Sequence, residues 1–509
     1  MMNTLNIRKQ NSPLLQDVLK FMNFLKDIQN TASLLGWDQE TYMPAGSIVS
    51  RASQLVTLET IAHRVITSKK AKILADKIEK YLGNSNSFEN RIFYTFLKEH
   101  KLAAKLPREF IENITKTRAF ATECWKKARQ ENDYKIFEKD FEQLTNLKIE
   151  QANYYGFTEN PYDPLLDLFE PGMTFSFLHP YFEKIRDYTR DILDYALDIS
   201  STINDNFLFE HYDRDTQFNL AKYICEKMGF DLYYGRLDKS IHPFTTSFSQ
   251  KDVRITVRVI ENDLRSCIFS AIHEAGHGLY EQNISNDYYR TFLEEGASYG
   301  IHESQSLLWE KIIARTLEFS SWVLPTLKEK FPLQLNKISS MDFFKAINKI
   351  SKSFLRTESD ELTYNLHIMI RFELENDLIN KNIRVKDIPE IWNQKFYDYF
   401  GLKPESLREG CLQDIHWAHG NFGYFPTYTL GKIYSAMIWK KLQEDLPDLM
   451  SNIKNGNFIL IKNWLRENIH QHGKLYEPKI LMEMLTGKIL DVDDYHSYIK
   501  NKISMLNNS

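Results

Sequence analysis

Apolar residues along this chain recur three and four positions apart far more often than they alternate. LLQDVLKFMNFLKDIQNTASLL, from Leu14 to Leu35, and FEKIRDYTRDILDYALDI, from Phe182 to Ile199, both carry the spacing of one buried helix face. One segment departs. In DVRITVRVI, from Asp252 to Ile260, Ile255, Val257 and Val259 alternate with Arg254, Thr256 and Arg258, which predicts a strand. Its edge is expected to be open to an extended peptide. Glu261, Asn262 and Asp263 follow as N-cap candidates. A helix is then predicted from about Leu264 through Tyr280, with Ile268, Ala271, Ile272, Ala275 and Leu279 as its apolar stripe. The 19 glycines and 15 prolines are few for 509 residues, so helices are favoured over a loop-rich β architecture. GNSNSFEN, from Gly83 to Asn90, is predicted to be a loop between helices. No low-complexity linker divides the chain, so residues 1–509 are expected to form one unit. Its mostly helical part spans residues 1–235, and the part carrying the chemistry spans residues 236–509.

Charge and cysteine usage narrow the function classes. The 64 basic and 68 acidic side chains nearly cancel, which argues against a nucleic-acid binder with a basic face. Cys124, Cys225, Cys267 and Cys411 lie far apart with no CxxC pair, so neither a disulfide framework nor a cysteine metal site is expected. MMNTLNIRKQNSPLLQDVLKF lacks the apolar core of a signal peptide, and no apolar run is long enough to span a bilayer. The expectation is a cytoplasmic protein without membrane segments.

The predicted helix after the strand contains SAIHEAGHGLY, from Ser270 to Tyr280. A spacing of four puts His273 and His277 on one helix face, where two imidazoles point at one ion. Glu274 lies about 100° round the helix from His273, beside the ion without being a ligand. HExxH therefore places two ligands and a base on one rigid element, although a lone match also arises by chance. A third histidine ligand would need glycine at position 280, where this chain has Tyr280. A carboxylate ligand remains, and Glu294, Glu295 and Glu303 are the candidates. Glu303 lies 26 positions beyond His277, enough for a loop and a second helix.

These residues belong to a longer series. Gly36-Trp37-Asp38-Gln39-Glu40-Thr41-Tyr42-Met43-Pro44 contains WDQET. His242-Pro243-Phe244 reads HPF, and Asp252 to Thr256 reads DxRxT. His302-Glu303-Ser304-Gln305 and the GxxQDxHW stretch from Gly410 to Trp417 follow HExxH in order. In these motifs the chain resembles the carboxypeptidase Taq family of metallocarboxypeptidases. One motif differs, since the family's IRxxAD stands here as Leu355-Arg356-Thr357-Glu358-Ser359-Asp360. The resemblance implies a mainly α, two-lobed fold with a deep cleft and, with the strand above, a small β-sheet beside the HExxH helix. It implies a homodimer, a zinc-type divalent ion at the cleft floor, and Glu303 as third ligand; a His/His/Glu donor set would also accept cobalt or manganese. It further implies stepwise removal of C-terminal amino acids from peptides, with broad specificity.

Roles follow for the remaining residues. Glu274 is the expected general base. His416 and either Tyr424 or Tyr428 are the candidates for supporting the oxyanion. A guanidinium suits the free C-terminal carboxylate of a substrate; Arg356 is the first choice and Arg254 the second. Trp37 and Trp417 are expected in the core. A zinc endopeptidase with the same ligands is the nearest rival. A catalytically dead peptide-binding module is more distant, because neither Glu274 nor any ligand is lost.

Overall fold

The computed structural model describes residues 12–83 and 87–507. Residues 84–86 of the expected Gly83–Asn90 loop therefore lie outside the described residues, as do residues 1–11 of the N-terminal stretch. The helices flanking that loop end at Tyr81 and begin at Phe88. Helices dominate the chain, and the two periodic stretches are among them. The first runs over Pro13–Thr41; the Ser12 side chain accepts from Leu15 N, and Leu15, Val18, Met22 and Leu25 are buried. The second runs over Phe175–Ser201 behind a Thr174 cap, burying Leu178, Phe182, Ile185, Leu193 and Ala196.

Three strands form one sheet: β1 (Gly235–Lys239), β2 (Thr245–Ser249) and β3 (Asp252–Val257), in the order β1-β3-β2. β3 is the alternating segment read from sequence. It runs parallel to β1 and antiparallel to β2. It is thus the central strand, and the expectation that its edge receives a peptide is corrected: both edges are already paired. Val253, Ile255 and Val257 are fully buried beneath it.

The chain then enters the HExxH helix, Leu264–Asn283, capped by Asp263. The Glu303 helix, Tyr299–Leu307, starts at a Ser298 cap and leads into a π-helical turn, Leu308–Ile312. A third helix, Pro426–Asp445, packs along it. Two glycines set how closely these helices approach. A Cβ on Gly276 would lie 2.6 Å from Ser306 Cα, so the first two helices touch backbone to backbone. A Cβ on Gly431 would lie 2.8 Å from Glu303 Cγ. One contiguous apolar core extends from Leu15 to Leu506. It joins residues of the 1–235 part to those of the 236–509 part.

Candidate metal centre and active site

His273 and His277 stand one turn apart on the HExxH helix, their rings 4.9 Å apart and nearly perpendicular. Glu303 reaches them from the neighbouring helix. Its Oε2 lies 3.3 Å from His277 Nε2 and 3.8 Å from His273 Nε2. Donors held about 2.0–2.1 Å from a tetrahedral ion lie roughly 3.4 Å from one another, so these spacings fit a zinc-sized cation. Among the described residues this is the one group of three or more such side chains placed to hold a metal. The hydrogen bonds agree with that assignment. His273 Nδ1 is 3.0 Å from Glu310 Oε2, on the π-helical turn, and His277 Nδ1 is 2.7 Å from His302 Nδ1. Each ring is thus held through Nδ1, and each turns Nε2 toward Glu303.

The surroundings are rich in negative charge. Burial works against protonation of His273, but Glu303, Glu310 and Glu274 outweigh it and lift the imidazole to about 9. Burial leaves His277 neutral by lowering it to about 4. Carboxylates converging on two imidazoles favour a cation between them. Glu294 and Glu295, the alternative third ligands, are engaged elsewhere. Glu294 accepts from the Arg290 and Gln250 amides, and Glu295 pairs with Lys26 and Lys474.

Glu274 is buried, and burial raises its carboxyl above the ordinary value. The Thr245 hydroxyl donates to its Oε2 at 2.6 Å. Thr245 directly follows the HPF segment. Phe244 of that segment donates its amide to the Thr256 hydroxyl, which belongs to the DxRxT motif. Two motifs thereby cooperate to place one hydroxyl on Glu274. Arg254 of the same motif goes elsewhere. It pairs with Asp252 and lies over the Trp37 ring at 4.3 Å.

The GxxQDxHW stretch forms the polar wall. Asp414 is shared by two guanidinium groups, Arg356 at 2.7 Å and Arg371 at 2.5 Å. Burial opposes its ionisation, but the two arginines hold it far below the usual carboxylate range. Arg356 also donates to the Tyr364 hydroxyl. Two cations against one anion leave this buried cluster with net positive charge. His416 Nε2 is 3.3 Å from the Tyr428 hydroxyl, and burial keeps the ring neutral by lowering it to about 3. Burial and then the nearby Glu303 charge keep the Tyr424 phenol protonated. Burial does the same for Tyr428. Trp37 and Trp417 are both core residues. The Trp417 indole donates to buried Glu375 at 2.8 Å. Sequence reasoning missed Thr245, Glu281, His302 and Glu310 as supports of this site; packing brings Thr245 and Glu310 to it, whereas Glu281, one turn beyond His277, and His302, beside Glu303, had spacings that could have marked them.

The assembly groups three side chains that could hold a metal ion with a buried carboxylate beside them and protonated phenols and a cationic cluster on a nearby wall. A family model described as carboxypeptidase Taq (M32) metallopeptidase matches residues 17–503. Carboxypeptidase 1 of Bacillus subtilis (strain 168) is 37% identical over 490 residues, covering 96% of this chain and 98% of that protein. Thermostable carboxypeptidase 1 of Pyrococcus furiosus is 37% identical over 495 residues, covering 97% and 99%. A solved structure of Pyrococcus furiosus carboxypeptidase superposes with a TM-score of 0.94 at 36% identity, covering 97% of this chain and 99% of that one.

Proposed function

The chain belongs to the carboxypeptidase Taq (M32) metallopeptidase family, and from that premise we propose how its own residues perform metal-dependent removal of C-terminal amino acids from peptides. It is a metallocarboxypeptidase, a hydrolase acting on peptide bonds. His273, His277 and Glu303 hold the ion, which we take to be zinc, with cobalt or manganese able to replace it. When bound, such an ion supplies Lewis acidity toward the scissile carbonyl and makes water a stronger acid.

The remaining steps belong to the protein. Glu274 takes a proton from water on a carboxylate oxygen and returns it to the leaving amine nitrogen. Its raised pKa makes the carboxylate a better acceptor of the water proton, and Thr245 fixes the carboxylate in place. With His416 Nε2–H directed at the Tyr428 oxygen, the phenol proton, engaged with Tyr424 in this structure, turns to donate to the developing oxyanion. The net positive charge of Arg356 and Arg371 against Asp414 draws the substrate's terminal carboxylate, with Arg356 as its contact. Arg254 is paired one to one with Asp252, which leaves no net positive charge there, and is the weaker candidate.

The observation that carries this reading is the meeting of both His Nε2 atoms and Glu303 Oε2 next to Glu274. Its test uses one peptide with a free C-terminus and the same peptide amidated, followed by mass spectrometry on zinc-loaded protein. We expect a ladder of single-residue losses from the free peptide alone, and none from Glu274→Gln, which still binds metal. Internal cuts in both peptides would instead mean an endopeptidase and would remove the role given to Arg356.

We place the enzyme in the cytosol, a reading supported by four free cysteines. No helix among the described residues is long and apolar enough to cross a membrane. We further propose a homodimer. The helix Ile48–Ile66 buries only Ile66 and leaves Ile48, Val49, Val56 and Ile61 exposed, an apolar face suited to a second copy. Light scattering should give twice the chain mass; a single-chain mass at micromolar concentration would remove the dimer.

A further inference from the structure

The two ligand histidines are backed differently. His273 gives its Nδ1 directly to the Glu310 carboxylate. His277 Nδ1 instead meets another imidazole, His302 Nδ1, at 2.7 Å. On its far side His302 Nε2 lies 2.7 Å from Glu281 Oε1. Glu281 stands four residues beyond His277 on the same helix, and His302 directly precedes Glu303.

Two Nδ1 atoms at this distance share one proton: two N–H groups would collide and two lone pairs would repel. If His302 carried that proton, His277 would hold its own on Nε2, the atom that faces Glu303 at 3.3 Å. The ligand atom would then be blocked. If His277 carries it, Nε2 is free to bind an ion. Glu281 decides between the two arrangements. A carboxylate at 2.7 Å calls for a proton on His302 Nε2, which leaves neutral His302 with a bare Nδ1. The ring is also held in place. It stacks between His277 at 4.6 Å and Tyr280 at 5.3 Å, and a Cβ on Gly296 would come within 2.9 Å of its Cδ2.

We infer that His302 is a positioning residue that relays the Glu281 carboxylate to His277 and sets the tautomer in which His277 ligates through Nε2. The inference rests on the reading of His273, His277 and Glu303 as the ligands. Carboxylate backing of ligand histidines is general, and losing it weakens metal binding about 10- to 100-fold. Here the backing passes through a second imidazole.

The test titrates metal-free protein with zinc against a chromophoric chelator and compares parent, His302→Leu, His302→Asn, Glu281→Leu and His277→Ala. The leucine variants should weaken zinc binding about 10- to 100-fold. His302→Asn, whose side-chain oxygen keeps an acceptor near Nδ1, should restore most of the loss. Thermal midpoints of the metal-free proteins should agree. Nitrogen-15 NMR of the zinc-loaded parent should show His302 protonated on Nε2 and bare at Nδ1. Parent-like zinc affinity in His302→Leu, an asparagine variant as weak as leucine, or a proton on His302 Nδ1 would overturn the relay. If His277→Ala loses zinc while His302→Leu keeps it, the relay alone fails. If His277→Ala keeps parent affinity, the ligand assignment itself falls. Should His302→Leu not fold, the asparagine variant and the NMR still decide.

Discussion

Tyr428 faces His416 Nε2 at 3.3 Å, whereas Tyr424 packs among Phe169, Tyr299 and Tyr428. The first has His416 beside its oxygen; the second is held by ring contacts and by a hydrogen bond with the Tyr428 side chain. Tyr428→Phe should therefore lower kcat by about 10²–10³ with little change in KM, as for loss of one oxyanion donor. Tyr424→Phe should cost less than about tenfold. Steady-state kinetics on one peptide would check this, and the reverse ranking would hand the role to Tyr424. The primary sequence made the reactive residues legible where chemistry needs a fixed local spacing, as in His273, Glu274 and His277. Beyond that spacing it said less. Among Glu294, Glu295 and Glu303, spacing favoured Glu303 without deciding, and the family motifs strengthened that choice. Glu310 and Thr245 carry no local mark, because their work depends on which helix or strand packs against which.

Among the elements, the helices were the most readable, since a buried stripe repeats over many turns. The strand Asp252–Val257 was also visible, but its place in the sheet was not. Its partners, GRLDK and TTSFS, are five residues each and show no apolar alternation, so nothing in them announces a strand. The close approach of three helices was likewise hidden, being a property of Gly276 and Gly431 in register with neighbours far along the chain. Gly431→Ala would press a methyl group onto the Glu303 stem. Overpacking of this kind costs about 1–3 kcal/mol, and here it would be felt by a ligand side chain. The expected result is zinc binding weakened about tenfold or more, with far-ultraviolet circular dichroism unchanged. Unchanged affinity would mean that the helix Pro426–Asp445 yields rather than Glu303.

Across the whole molecule, buried carboxylates join distant segments. Glu170 accepts from the Gly300 amide at the start of the Glu303 helix and from Tyr434 on the helix Pro426–Asp445. Burial raises its carboxyl from 4.5 to about 7. A folded-state value above the unfolded one means that the folded chain binds the extra proton. Its stabilising contribution is then complete below about pH 4.5 and is lost as pH rises through about 7. Glu170→Gln cannot titrate, so its stability relative to the parent should improve between those limits by on the order of 2–3 kcal/mol. Urea unfolding of both metal-free proteins at several pH values would measure this, and a difference independent of pH would refute it. The order of the active-site parts along the chain has a consequence in time. All three proposed ligands are made by Glu303, and Tyr428 follows roughly 120 residues later. At about 5–20 residues per second, on the order of ten seconds separate them on the ribosome. During that interval a growing chain contains the three proposed ligands and still lacks both the Tyr428 phenol and the helix that packs against Glu303. Full activity is therefore expected only after the C-terminal part of the core has been made.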